Sequence, residues 1–260
     1  MDFERMTVRM DLIADVGESF GSLKAGNDEA LLDVLTAANI ACGFHSGDPR
    51  TMKRTVATCV EKDVAIGAHP GFPDLVGFGR RAIDMTREEV RTDVLYQLGA
   101  LSAFVRAAGE TIQHVSPHGR LGNLTVTDET YAAGVLDAVE DFDPKLVVIG
   151  QRGLIHELAA ERGIATRSLG FPDRTYESDG LLTSRRVPGA VLHDPGEIAR
   201  RAVAMALEGR IESRTGEPVA VDCGAILLHG DNEASVQAAR AVRTALESAG
   251  VVVGRERPAG

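Results

Sequence analysis

Four times along this chain an apolar run of strand length breaks into glycine or proline beside a histidine. The runs are Ile40-Ala41-Cys42-Gly43-Phe44-His45, Ile66-Gly67-Ala68-His69-Pro70, His114-Val115-Ser116-Pro117-His118-Gly119 and Leu227-Leu228-His229-Gly230. Short buried strands that end in a loop bearing a polar tip are the way α/β proteins present reactive side chains. Helical signals lie between them. Asp48 followed by Pro49 reads as an N-cap and first helical residue, with Met52, Val56, Cys59 and Val60 at helical spacing. Thr86 and Glu89 form a capping box ahead of Val90, Val94, Leu98, Leu101 and Val105, a helix of about twenty residues that stops at Gly109. Further helices are predicted near 128–139, 154–162, 196–207 and 234–248, and further strands near 9–15, 111–115, 146–149, 165–169 and 225–228.

Strand and helix thus alternate about seven times with no linker, repeat or low-complexity stretch, which predicts a parallel sheet sheathed by helices in a single domain over 1–260, its core at about 9–253. An open sheet would leave some of the histidines at its edges, whereas a barrel gathers every strand end at one mouth. The barrel is therefore the expected architecture, with a histidine cluster at its mouth.

Two stretches interrupt the rhythm. Residues 69–85 and 171–189 are long and aperiodic, and loops of that length inside a compact domain are usually functional or disordered. The second crowds Asp173, Arg174, Tyr176, Asp179, Arg185 and Arg186 together, which suits a lid that grips an anionic substrate, or a merely solvated loop.

Composition excludes several functions. A formal charge of −10 gives no basic footprint for a nucleic acid. No apolar run approaches the roughly 20 residues of a membrane span, and the N-terminus lacks a signal peptide's apolar core, so a cytoplasmic location is expected. The three cysteines, Cys42, Cys59 and Cys223, have no CxxC spacing and read as reduced, buried thiols. Phosphate-loop, dinucleotide-fingerprint, GxSxG and HExxH patterns are all missing.

What remains is Asp15, His45, His69, His118 and His229, with Glu18 on the same loop as Asp15. Imidazoles with carboxylates can move protons near neutral pH or hold a divalent metal. Asp15 and Glu18 could share acid and base work, or be solvated surface groups. Arg80-Arg81 could clamp a carboxylate, or be idle surface charge.

The motifs Asp11–Glu18, Ala38–Pro49, Ala65–Asp74, Phe78–Arg80, Tyr96–Leu101, His114–Gly119 and His229–Asp231, in that order, resemble those of the LamB/YcsF family. The resemblance implies a seven-stranded β/α barrel akin to the polysaccharide deacetylases. It also implies work as the A subunit of a 5-oxoprolinase, which opens 5-oxo-L-proline to L-glutamate at the expense of ATP together with partner subunits B and C or their fusion. On that reading Asp15, His45, His69, His118 and Glu18 are the catalytic candidates, with Asp15 or His118 as the base. Arg80, Asn123, Arg174, Asp179 and His229 are the expected substrate contacts, and Asp15, His45 and His118 the expected ligands of a divalent metal. ATP is handled with the partners.

The chain departs from the family pattern at Ile13, where asparagine is usual, at Ser116 (lysine), at Gly122 (tyrosine), at Arg120 (a small or apolar residue) and at Ser46 (alanine). Three readings follow: the oxoprolinase subunit or a paralogue acting on another lactam, a stand-alone metal-dependent amidohydrolase or deacetylase, and a binding subunit without catalysis.

Overall fold

A computed structural model describes residues 8–228 and 233–254. His229, Gly230 and Asp231 lie outside the described residues. The elements run β1 Arg9–Val16, α1 Asp28–Leu32, β2 Ala37–Ala41, α2 Pro49–Glu61, β3 Ala65–His69, α3 Arg87–Ala107, β4 His114–Val115, α4 Gly119–Leu124 and α5 Glu129–Phe142. They continue with β5 Val147–Gly150, α6 Leu154–Glu161, β6 Thr166–Gly170, α7 Pro195–Glu208, β7 Arg210–Glu212, β8 Pro218–Ala220, β9 Ala225–Leu228, α8 Glu233–Ser248 and β10 Val252–Val253.

Seven of these strands, β1-β2-β3-β4-β5-β6-β9, pair in parallel, and β9 closes on β1 through Asp11↔Ala225 to Ala14↔Leu228. The expected seven-stranded barrel is the observed one. Two features were not legible in the periodicity. A three-residue antiparallel hairpin, β7 with β8, is inserted between α7 and β9, and β10 extends the sheet beyond the barrel at the start of β1. Both are too short to show a period. The same is true of α4, six residues that include Gly119 and Gly122. The strand expected over 111–115 shrinks to His114–Val115.

The helix starts follow their capping chemistry. Asp48 accepts from the amides of Arg50 and Thr51, and also from Gly21 N at 2.9 Å, which ties the loop after β1 to the head of α2. These amides hold its carboxyl down to about 2, with Gly21 the largest contribution. Thr86 and Glu89 form the reciprocal box that starts α3. Val90, Val94, Leu98, Leu101 and Val105 of α3 are all buried, as their spacing requires.

A strand's two-residue period sends Asp11, Ile13 and Asp15 of β1 into the barrel lumen and turns Leu12, Ala14 and Val16 toward the helices. At the floor of the lumen, buried Asp11 accepts from Thr36 Oγ1 at 2.8 Å and pairs with Arg167 of β6. One layer up, the imidazole of His114 lies directly on the backbone of Gly67. A Cβ at Gly67 would fall 1.9 Å from His114 Nε2. Gly67→Ala therefore forces overpacking into a rigid strand pair. We expect it to destabilise the fold by about 1–3 kcal/mol, read as a lowered melting midpoint by calorimetry. An unchanged midpoint would show that His114 is not seated there.

The 171–189 segment is not an open loop. Arg174 donates to Ala190 O (3.2 Å) and Thr183 O (2.5 Å), Arg201 donates to Pro172 O (2.8 Å) and Arg174 O (2.7 Å), and bridges join Arg174 to Val191 and Tyr176 to Leu182. Guanidinium–carbonyl bonds staple it into a wall of the mouth.

Candidate active site

The C-terminal ends of the strands open into a cavity of about 960 Å³, whose lining includes Asp15, Glu18, His69 and His118 on one side and Arg80 and Arg174 on the other. Asp15 ends the inward row of β1, His69 is the last residue of β3, and His118 is the N-cap of α4. His45 enters from the loop after β2 and stacks on His118, centroids 3.7 Å apart and planes within 6°. The packing needs glycine at 79: a Cβ there would meet His118 Cδ2 at 2.8 Å and His45 Cβ at 2.9 Å, and its φ is +63°.

The proton positions follow from carbonyl partners, which can only accept. His69 Nδ1 faces Ser116 O at 2.5 Å and His118 Nε2 faces Phe78 O at 2.8 Å, so both nitrogens carry hydrogen. Phe78 takes a left-handed φ of +54° beneath this contact, a strained conformation that costs on the order of 1–3 kcal/mol. A neutral His118 then has its lone pair at Nδ1, 2.9 Å from His69 Nε2. His69 must donate there, which makes it the charged ring, and Asp15 Oδ1 lies 3.3 Å from the same nitrogen.

The electrostatics agree. Burial opposes charge on His69, but the Asp15 carboxylate, its hydrogen bond, Glu18 and the Ser116 carbonyl together hold it above the usual histidine range. Burial, then the neighbouring His69 charge, pushes His118 down to about 3, and His45 is lowered by burial and by its two histidine neighbours. Glu18, buried and near Asp15, is pushed up to about 8.

Glu18 Oε1 and both ring nitrogens of His45 are buried with no hydrogen-bond partner. Together with His69 and His118 they form a group whose ligand atoms all lie within 4.8 Å of one another. Three imidazoles and a carboxylate suit a divalent transition metal, and the orphaned atoms are those that a cation would satisfy. This set differs from the expected Asp15, His45 and His118. Asp15 spends its Oδ1 on Asn39 Nδ2 (2.9 Å) and His69, standing just outside the group, while Glu18 and His69 join it.

The other expected residues divide. Arg80, whose guanidinium lies 5.0 Å over the Phe78 ring, lines the cavity, as do Arg174 and Asn123. Arg120 and Ser116, two of the departures from the family pattern, line it too. Asp179 does not. It is exposed in a turn, accepting from Leu181 N at 2.9 Å, so its carboxylate belongs to the far side of the 171–189 wall. Arg81 is paired with Asp74 and is no free half of a carboxylate clamp. Cys42 is buried and pushed up to about 12 by that burial, which leaves it a thiol with no nucleophilic role. The expected His229 contact lies outside the described residues.

Two participants carried no assigned role in the sequence. His114 Nε2 lies 2.8 Å from Asn39 Oδ1, and Asn39 in turn donates to Asp15. Asn39 sits inside the first histidine motif, and His114 stands four residues before His118; only the barrel shows that they touch. The carbonyls of Ser116 and Phe78, being backbone, leave no trace in residue identity.

Buried neutral histidines predict an acid limit. His114 and His118 titrate at about 3 in the fold but at about 6.5 when unfolded, and His45 is lowered too. Their stabilisation is complete above the unfolded value and is lost as pH falls from about 6.5 toward 3. Glu18 and His69 are raised and act oppositely, losing stabilisation as pH rises, Glu18 between about 4.5 and 8. We expect denaturant midpoints to peak near neutral pH and to fall below about 6. A midpoint flat down to about pH 4 would contradict the neutral-histidine assignment.

Comparison with known proteins places this geometry. The chain is 46% identical over 247 residues to a protein of Thermococcus sibiricus named as the A subunit of 5-oxoprolinase, covering 95% of this chain and 97% of that one. It is 47% identical over 247 residues to the protein of the same name from Symbiobacterium thermophilum, covering 95% of each. The crystal structure of a lactam utilization protein from Thermus thermophilus superposes with a TM-score of 0.89 at 44% identity, over 95% of this chain and 99% of that one. A family 4 carbohydrate esterase from Streptomyces lividans, at 10% identity and a TM-score of 0.51 over 96% and 94% of the two chains, shares the barrel alone. The family model described as LamB/YcsF matches residues 10–258, and with this barrel and these relatives the chain belongs to the LamB/YcsF family.

Proposed function

We propose that this chain is the hydrolytic subunit of a 5-oxoprolinase, opening the five-membered ring of 5-oxo-L-proline, or of a close lactam, to the amino acid. The observation that carries the reading is the Asp15–His69–His118 arrangement at the mouth, a carboxylate and a neutral imidazole flanking one charged imidazole. An unstrained lactam is a poor electrophile, and phosphorylation of its amide oxygen by ATP would activate it. ATP is handled with partner subunits B and C, whose existence the lettered name of the relatives implies. This chain then supplies the water attack.

Asp15 accepts the proton of the attacking water, and His118, neutral and with its lone pair turned to the cluster, is the alternative acceptor. His69 donates toward the oxygen that gains charge. Arg80, Arg174 and Asn123 offer the substrate's carboxylate cations and an amide, and His229, the residue after β9, belongs with them by its place in the chain. Glu18, His45, His69 and His118 would hold a divalent metal, which, when bound, supplies a Lewis acid that polarises the carbonyl and acidifies water. For His69 and His118 to serve as ligands, the proton they share must leave, so metal uptake would release protons.

The Glu–His₃ cluster also favours a second reading, a metal-dependent amidohydrolase that needs no partner. One experiment separates them: the chain is mixed with subunits B and C, and glutamate and ADP are followed from 5-oxoproline. Glutamate released in step with ADP, and only with this chain present, is expected. ATP consumption indifferent to this chain, or cleavage of simple amides by the isolated chain with added metal, would overturn the assignment.

A further inference from the structure

We infer that His114 is a positioning residue for Asp15, acting through Asn39. The three side chains form a line across the barrel lumen: His114 Nε2 to Asn39 Oδ1 at 2.8 Å, and Asn39 Nδ2 to Asp15 Oδ1 at 2.9 Å. Asn39 is wholly inaccessible and His114 4% exposed, so water cannot substitute for either bond.

The directions of these bonds are coupled. An amide has one end that accepts and one that donates, and the two ends cannot be exchanged independently. With a proton on His114 Nε2, Asn39 must turn Oδ1 to the histidine, and its N–H then points at Asp15. Were Nε2 the unprotonated nitrogen, the amide would reverse. It would present Oδ1 to the Asp15 carboxylate, two oxygen acceptors at hydrogen-bond distance with no hydrogen between them. The tautomer of a histidine that touches no substrate thus decides whether the proposed base is oriented as an acceptor. The arrangement parallels a carboxylate–histidine pair, in which an outer group fixes the orientation of an inner one.

The rest of the lumen keeps His114 neutral and in place. It is held at about 3 by burial first, then by the Arg167 and His69 charges. Its ring occupies the space where a side chain on Gly67 would stand. Asp11, the acid nearest the floor, is bonded to Thr36 and Arg167. The line therefore starts at a fixed neutral donor and ends at Asp15, whose Oδ1 also faces His69 at 3.3 Å.

The kinetic part of the test rests on the hydrolytic reading; the spectroscopic part does not. Three proteins are compared in the reconstituted complex: wild type, His114→Gln and His114→Phe. Glutamine places an N–H near the position of Nε2, while phenylalanine keeps a ring over Gly67 and donates nothing. His114→Phe is expected to lower kcat by roughly 10–100-fold with little change in KM, the range seen when outer orienting groups are removed. His114→Gln should recover most of that loss. Equal losses in both variants would make His114 a packing residue and overturn the inference.

Nitrogen chemical shifts of histidine-labelled wild-type chain, which require no turnover and do not depend on the variants folding, should show His114 protonated at Nε2 alone. A ring protonated at Nδ1 alone, or at both nitrogens, would overturn the inference whatever the reaction. A wild-type complex that releases no glutamate, with His114 protonated at Nε2, would sink the reaction reading and leave the positioning of Asp15 supported.

Discussion

Asp15→Asn is expected to lower glutamate formation by the reconstituted complex by roughly 10²–10⁴-fold, the usual contribution of a general base, while the barrel still folds. The substitution is isosteric. Asn39 Nδ2 can still donate to an oxygen at position 15, so the buried line from His114 keeps its partner. What disappears is negative charge. The altered residue cannot take a proton from water, and His69 loses the carboxylate that most favours its charged form against burial. KM should change little, because the arginines that would hold the substrate's carboxylate stand on the opposite wall of the cavity. The checks are kcat and KM, with melting of the variant as the control for folding. Activity close to that of wild type would remove Asp15 from the mechanism.

The second large effect concerns the Glu–His₃ group. Wild-type chain dialysed against a divalent transition metal is expected to retain about one ion per chain, measured by elemental analysis. The paired change His45→Ala and His118→Ala should abolish retention, since it removes two of the four candidate ligands. Retention should also fall steeply on acidification, because the ion must displace the proton shared by His69 and His118. Should the variant retain as much metal as wild type, the ion sits elsewhere. No retention by either protein would leave the cluster to proton transfer alone. Alanine at 45 and 118 also removes a stacked buried pair, so a loss of stability should accompany the loss of metal, and calorimetry of the metal-free proteins separates the two.

How far the site could be read in advance differs residue by residue. Asp15, His69 and His118 announce themselves because each ends a strand or opens a helix at a glycine or proline, and a parallel barrel carries such ends to one place. Their division of labour does not follow from position. Asp15 was expected to hold a metal, and only its contacts with Asn39 and His69 show it standing outside the ligand group. Glu18 comes from the Gly-rich turn after β1 and gains its raised pKa from being buried beside Asp15, a circumstance that no local pattern records. Asp179 shared a charged stretch with Arg174, yet a tight turn through Leu181 faces it outward while Arg174 is drawn inward by two carbonyls.

The sequence alone determined the alternation of strands and helices, the caps at Asp48 and Thr86 and the inward row of α3, because these depend on neighbours within a few residues and on the period of burial. It also determined which side chains reach the mouth of the barrel. The tertiary structure decided the protonation of those side chains. Charge on His69, neutrality of His45, His114 and His118, and the direction of the Asn39 amide are set by burial and by carbonyls contributed from strands and loops distant along the chain. Hydrogen-bond direction and desolvation are properties of an enclosed space, and the enclosure exists only once β9 has closed on β1.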